Sequence, residues 1–146
     1  AESLEGKMSF WRNYFHLVWA TKGRRPLIRP EIEVQLYAYL ARKADELGVR
    51  TYEINGTEDH IHIVAAIPPK HSVAEVVRRL KGSSSHYVNT ILKSEEHFVW
   101  QRGYGCLTLG ESQRERVEAY VRAQKEHHRE GTANTRLETT EEEETD

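Results

Sequence analysis

Residues 60–67 read HIHIVAAI and stop at Pro68-Pro69. Side chains on a strand point alternately to its two faces. A strand here therefore sets Ile61 and Ile63 on one face and His60 and His62 on the other. The isoleucines need burial against other elements, so this segment commits the chain to a sheet with one packed face. Helices are expected over the isoleucine face, leaving the histidine face open.

The flanking segments supply what such a sheet needs. Residues 14–20 (YFHLVWA) are aromatic and β-branched and read as a strand, followed by a Gly- and Pro-containing loop at 21–29. Pro30 suits the first position of a helix, and Ile32, Leu36, Tyr39, Leu40 and Leu47 recur at helical spacing before Gly48. Residues 49–54 (VRTYEI) form the next expected strand, with a turn at Asn55-Gly56. Ser72 and Glu75 make a capping box, and Val73, Val76, Val77 and Leu80 share one helical face. Residues 97–101 and 104–109 read as a strand region interrupted by glycine. A second capping box, Ser112 with Glu115, opens a last helix that is expected to run unbroken through Val117, Tyr120, Val121 and Gln124 to about Arg129. The order β-α-β-β-α-β predicts an α+β, ferredoxin-like sandwich with an antiparallel sheet, plus a C-terminal helix.

At 146 residues the chain is the size of one domain. Its lone cysteine, Cys106, excludes an intrachain disulfide and a cysteine zinc site. No apolar run approaches membrane-spanning length, and a cytoplasmic protein is expected. The net charge of -2 is unevenly spread. Residues 132–146 carry six acidic groups and one arginine; the rest holds 20 basic against 17 acidic side chains. A mildly basic body is compatible with nucleic acid. Residues 1–7 and 132–146 are expected to be disordered, because they have little to bury.

Several groups are candidates for chemistry. Two imidazoles side by side, His60 and His62, make half of a metal site, although eight histidines make one such pair unsurprising. Tyr120 and Gln124 stand four residues apart on one helical face and could address a single phosphate, although on this spacing alone a core aromatic beside Val117 and Val121 is the better reading of Tyr120. Lys22, Arg24 and Arg25 lie in the first loop, and Arg78, Arg79 and Lys81 precede Gly82-Ser83-Ser84-Ser85. Such clusters neutralise phosphates or simply face solvent. Trp11, Trp19 and Trp100 can stack on bases, but core packing is the commoner role.

In combination, FHLVWATKGRRPLI (15–28), EDHIHIVAAIPP (58–69), SVAEVVRRLKGSSS (72–85), FVWQRGYGCLTLG (98–110) and VEAYVRAQKEHH (117–128) resemble the single-tyrosine transposases of small bacterial insertion sequences and their REP-associated relatives. These are IS200-like enzymes with a His-hydrophobic-His, or HUH, motif. The likeness spans about Phe10 to Glu130.

That resemblance implies one HUH transposase catalytic domain over residues 8–131. It implies Tyr120 as nucleophile, with His60, His62 and Gln124 as ligands of a divalent ion, Mg²⁺ or Mn²⁺. The activity implied is nicking and rejoining of single-stranded DNA through a 5′-phosphotyrosine intermediate, at element ends that contain hairpins. Lys22, Arg24, Arg25, Arg78, Arg79 and Lys81 become candidate DNA contacts, and His127 or His128 a candidate proton acceptor. The resemblance also implies a homodimer in which the tyrosine helix of one subunit meets the histidine pair of the other, with Gly110 as a hinge. Two other readings stay open. One is a domesticated protein that binds hairpin DNA or RNA without cutting. The other is a metal hydrolase, disfavoured because no third histidine or carboxylate stands at obvious ligand spacing and Asp59 is expected to point away from the histidine face.

Overall fold

The structure is a computed structural model, and it describes residues 10–140. Four strands, β1 (Tyr14–Ala20), β2 (Arg50–Gly56), β3 (His60–Ala66) and β4 (Gly105–Leu109), form one sheet in the order β2-β3-β1-β4. All three neighbouring pairs are antiparallel. Helix α1 (Pro30–Glu46) connects β1 to β2, and α2 (Val73–Tyr87) leads from β3 toward β4. This is the expected α+β, ferredoxin-like arrangement. Three further helices follow: α3 (Glu111–Arg122), α4 (Gln124–Glu130) and α5 (Thr135–Glu138). No helix among the described residues is long and apolar enough to cross a membrane.

Local chemistry explains the element ends. Pro30 opens α1, with Glu31 and Glu33 in a first turn whose free N–H groups favour negative charge. Gly48, at φ 74°, turns the chain out of α1 in a left-handed conformation that costs glycine little. The Ser72 hydroxyl accepts the Glu75 N–H at 3.1 Å and caps α2. The cap at the start of α3 is not the expected one. Gly110 is the N-cap, and the Gln113 side chain accepts the Gly110 N–H at 2.8 Å.

The register of β1 on β3 sets Trp19 opposite Ile61 and Leu17 opposite Ile63. These four side chains join Leu36, Leu40 and Ala44 of α1 and Val76, Val77 and Leu80 of α2 in the core. Trp19 and Trp100 meet edge to face, 5.9 Å between centroids, and Trp100 donates its ring N–H to the Ser84 hydroxyl. Both are core residues.

Three sequence expectations need correction. Residues 97–101 contribute only a single bridge, Trp100 to Thr21, rather than a strand. Phe98 is instead held by the Asn89 amide, which accepts its N–H and donates to its carbonyl. The last helix is not continuous, because Ala123 leaves helical geometry (φ -93°, ψ 19°) and separates α3 from α4. The histidine face is not open either, since α3 packs across β2 and β3. Arg114 lies over the Tyr52 ring at 4.1 Å, Arg122 pairs with Glu53 at 3.1 Å, and Lys125 with Glu33 at 2.7 Å.

Part of the tail also departs from expectation. Residues 132–140 cross the histidine face and include α5, while residues 1–7 and 141–146 lie outside the described residues. Asn134 nucleates α5 by accepting the N–H groups of Arg136 and Leu137, which composition alone does not register.

The layering yields a contrast. Leu36→Ala, which empties a fully buried site, is expected to cost about 2–5 kcal/mol in denaturant unfolding. Val34→Ala, on the exposed side of the same helix, is expected to stay within about 0.5 kcal/mol.

Candidate active site

Strand β3 delivers His60 and His62 to one face, and both are buried. On β1 the neighbouring same-face residues are Ala20, opposite His60, and Val18, opposite His62, followed by His16. Each site histidine is fixed through its Nδ1. His60 Nδ1 lies 2.7 Å from Asp59 Oδ1 and 2.9 Å from the Thr57 hydroxyl. His62 Nδ1 shares a 2.8 Å hydrogen bond with His16 Nε2. Engaging Nδ1 leaves Nε2 of both rings directed into the site, as ligating imidazoles require.

Burial and partners act oppositely on these groups. Burial lowers the affinity of His60 for a proton, but hydrogen bonds to Asp59 and Glu138 outweigh it and the net shift is upward. Burial dominates at His62, which is shifted down despite Glu138. His16 is pushed down to about 3 by burial and by His62, so it is neutral. The hydrogen bond to His60 lowers the Asp59 carboxyl. Asp59 thus turns back to the histidine pair, contrary to expectation.

Tyr120 on α3 brings its phenol to the same place. Its hydroxyl donates to Glu138 Oε2 and accepts the Asn134 N–H at 2.7 Å. Its ring stacks on His127 at 4.5 Å, and the His127 Nδ1 bonds Thr132, so His127 does not face the phenol proton. Burial and the Glu138 hydrogen bond raise the phenol above its ordinary range. Gln124, the first residue of α4, is fully buried. Its Nε2 lies 2.9 Å from Glu138 Oε2 and 3.3 Å from His60 Nε2, while its Oε1 is buried without a partner.

That orphaned oxygen is informative. An unpaired buried carbonyl is costly. Turning the amide over exchanges O for N and presents an oxygen beside His60 Nε2. The donor set of His60, His62 and Gln124 therefore fits a divalent ion. A wider cluster, His60, His62, His128 and Glu138, has ligand-capable atoms all within 4.8 Å of one another. His60, Tyr120 and Gln124 of one chain all reach Glu138, as does His62.

The expected basic residues separate. Lys22 and Arg24 form a short turn after β1, where Arg24 lies 3.7 Å from Asp59 beside the site. Arg25 pairs with Glu96 at 3.0 Å. Arg78 and Arg79 share Glu75 on α2, across the sheet from the histidines. Lys81 points inward, its ammonium donating to the carbonyls of Gln101, Arg102 and Gly103 at 2.5, 3.0 and 3.0 Å. It pins the segment before β4, which places its ammonium on protein carbonyls.

Sequence reasoning missed His16, Asp59 as a partner, and Glu138, and it gave His128 no ligand role. His16 was discoverable only through the β1–β3 register, which no local pattern encodes. Glu138 lay in an acidic tail, with Asn134 as the sole hint of local structure.

The chain is similar to known transposases. Residues 9–124 match the family model described as "Transposase IS200 like". The transposases for insertion sequence element IS200 of Salmonella typhimurium and Salmonella typhi are each 30% identical over 126 residues, covering 83% of this chain and 82% of theirs. A crystal structure of a candidate transposase from Deinococcus radiodurans superposes with a TM-score of 0.62 at 24% identity, over 80% of this chain and 94% of that one. A REP-associated tyrosine transposase bound to a REP hairpin gives 0.61 at 12% identity, over 86% and 76%.

Lys81→Ala should reveal the structural role of that ammonium. It is expected to destabilise the fold by about 1–3 kcal/mol in urea unfolding, because three carbonyls lose a charged donor. Arg78→Ala should leave the unfolding midpoint where it is.

Proposed function

The chain belongs to the IS200-like transposase family, and on that premise we propose that it nicks and rejoins single-stranded DNA through a 5′-phosphotyrosine link at Tyr120. The observation that carries this reading is convergence. The Tyr120 hydroxyl, His60 Nε2, His62 Nε2 and the Gln124 amide all meet at the two oxygens of one carboxylate, Glu138. A nucleophile and a set of ligating nitrogens that share one point can act on one phosphate.

His60, His62 and Gln124 would hold a divalent ion, Mg²⁺ or Mn²⁺. When bound, such an ion supplies Lewis-acid stabilisation of charge on the phosphate. Nitrogen-rich donors favour Mn²⁺ in vitro. Asp59 and His16 keep the two imidazoles oriented with Nε2 inward. The Tyr120 oxygen would form a bond to phosphorus as the P–O3′ bond breaks. The phenol proton, which faces Glu138, would pass to that carboxylate and an equal proton, from it by way of solvent, to the leaving O3′, which becomes a 3′-OH. Attack by another 3′-OH reverses the sequence and rejoins strands, so no nucleotide cofactor is needed.

Lys22, Arg24 and Arg25, at the end of β1 beside the site, are assigned to DNA-backbone contacts, with Arg78 and Arg79 as a second cluster. Hairpin DNA is the proposed recognised form, supported by the hairpin bound to the REP-associated neighbour. Because Tyr120 meets the histidine pair of its own chain, any homodimer would not need to share the tyrosine between subunits.

The test uses 5′- and 3′-labelled single-stranded oligonucleotides, including hairpins from the DNA flanking the gene, with Mn²⁺ or Mg²⁺ and denaturing gels. A covalent protein–DNA band carrying the 3′ label is expected, with a released strand ending in 3′-OH. Both should vanish with Tyr120→Phe or EDTA. Cleavage that survives Tyr120→Phe would replace the transferase with a metal hydrolase. Hairpin binding with no cleavage under any condition would favour the non-cutting reading.

A further inference from the structure

Among the described residues of the tail strap, 132–140, Glu138 is the acidic side chain that reaches the centre of the site. Its Oε1 stands 3.0 Å from His60 Nε2, 3.0 Å from His62 Nε2 and 3.1 Å from His128 Nε2. Neighbouring ligands around an octahedral ion with bonds of about 2.1 Å are themselves about 3.0 Å apart. These contacts are hydrogen bonds in the ion-free site, and the same spacing lets this carboxylate oxygen and the three imidazoles share an ion with little movement. Hard cations such as Mg²⁺ and Mn²⁺ also favour anionic oxygen, which two histidines and a neutral amide do not supply.

The strap that carries Glu138 is seated by independent contacts. Asn134 caps α5 and donates its own N–H to Tyr120. One residue past Glu138, the Thr139 carbonyl lies so close to Gly105 of β4 that a Cβ there would stand 2.1 Å from its oxygen. Thr140 is buried. A bare glycine in β4 thus makes room for the strap.

We propose that Glu138 is a ligand of the divalent ion of this site, with His128 beside it, so that the ion fastens the C-terminal strap to the sheet. The inference rests on the metal-dependent reading above and adds to it a carboxylate and a third imidazole from outside the HUH motif. It makes the strap part of the metal centre.

Calorimetric titration of the EDTA-stripped full chain with MnCl₂ tests this. Wild type is expected to take up one ion, and His60→Ala to lose that uptake. Glu138→Gln keeps the side-chain shape and removes the charge. It should weaken uptake about tenfold or more, since loss of an outer partner alone costs about 10–100-fold. Gly105→Ala keeps every ligand residue, but its Cβ would meet the Thr139 carbonyl and the Val18 side chain, and it should weaken uptake in the same direction. Unchanged far-UV circular dichroism checks that each variant folds. As a second readout, Mn²⁺ should slow tryptic cleavage at Arg136 in wild type and not in Glu138→Gln. Uptake by Glu138→Gln equal to or tighter than wild type overturns the proposal, marking Glu138 as a plug that takes the ion's place. In that case loss of uptake in His60→Ala leaves the metal-dependent function standing. Absence of uptake by wild type overturns both.

Discussion

The antiparallel pairing of β1 with β3 organises both faces of the sheet together. Trp19 opposite Ile61 and Leu17 opposite Ile63 give α1 and α2 an apolar surface to cover. The same register sends His16, His60 and His62 to the other side, where His16 can reach His62. A slip by one residue would expose the core and bury the histidines among aliphatic side chains. The packed face and the reactive face are thus two results of one set of backbone hydrogen bonds, and the helices settle on whichever side each can use.

Burying imidazoles and carboxylates is costly unless every polar atom finds a partner. Here His60 leans on Asp59 and Thr57, His62 on His16, and the inward nitrogens on Glu138. Those hydrogen bonds hold the Glu138 carboxyl far below its ordinary range even though burial pushes it up. Two atoms of the cluster are buried without a partner, His16 Nδ1 and Gln124 Oε1, the latter on the amide whose nitrogen faces His60. Outside the site, ion pairs such as Arg78 with Glu75 are exposed and contribute little to holding the fold.

Much of this was legible in the residues. The HIHI alternation, the helix starts at Pro30 and Ser72 and the turn at Asn55-Gly56 each have a local cause, and local causes survive folding. Tyr120 and Gln124 were placed on one face by spacing alone, and they remain together although the chain breaks helical geometry at Ala123 between them. What escaped depends on distant contacts. Residues 97–101 look like a strand, but they pair with the chain only around a single bridge at Thr21 and are otherwise held by the side chains of Asn89 and Lys81. Lys81 looks like a phosphate contact until the three carbonyls it satisfies are seen. The histidine face looked open because nothing in β3 announces that α3 will fold back over it. Glu138 was hidden by the acidic composition around it, since a tail with little to bury gives no sign that one carboxylate will be captured by three imidazoles.

The hydrogen bond between His16 and His62 joins positions 46 residues apart, on different strands. A chain can therefore retain the whole HUH signature, the tyrosine and the glutamine while losing the residue that keeps one of those histidines correctly turned. A substitution at His16 leaves every residue of that signature unchanged. A search that counts intact motifs would score a chain altered only at His16 as whole. The unit of inheritance that matters here is wider than the signature, and it has to be recognised by strand pairing rather than by adjacency.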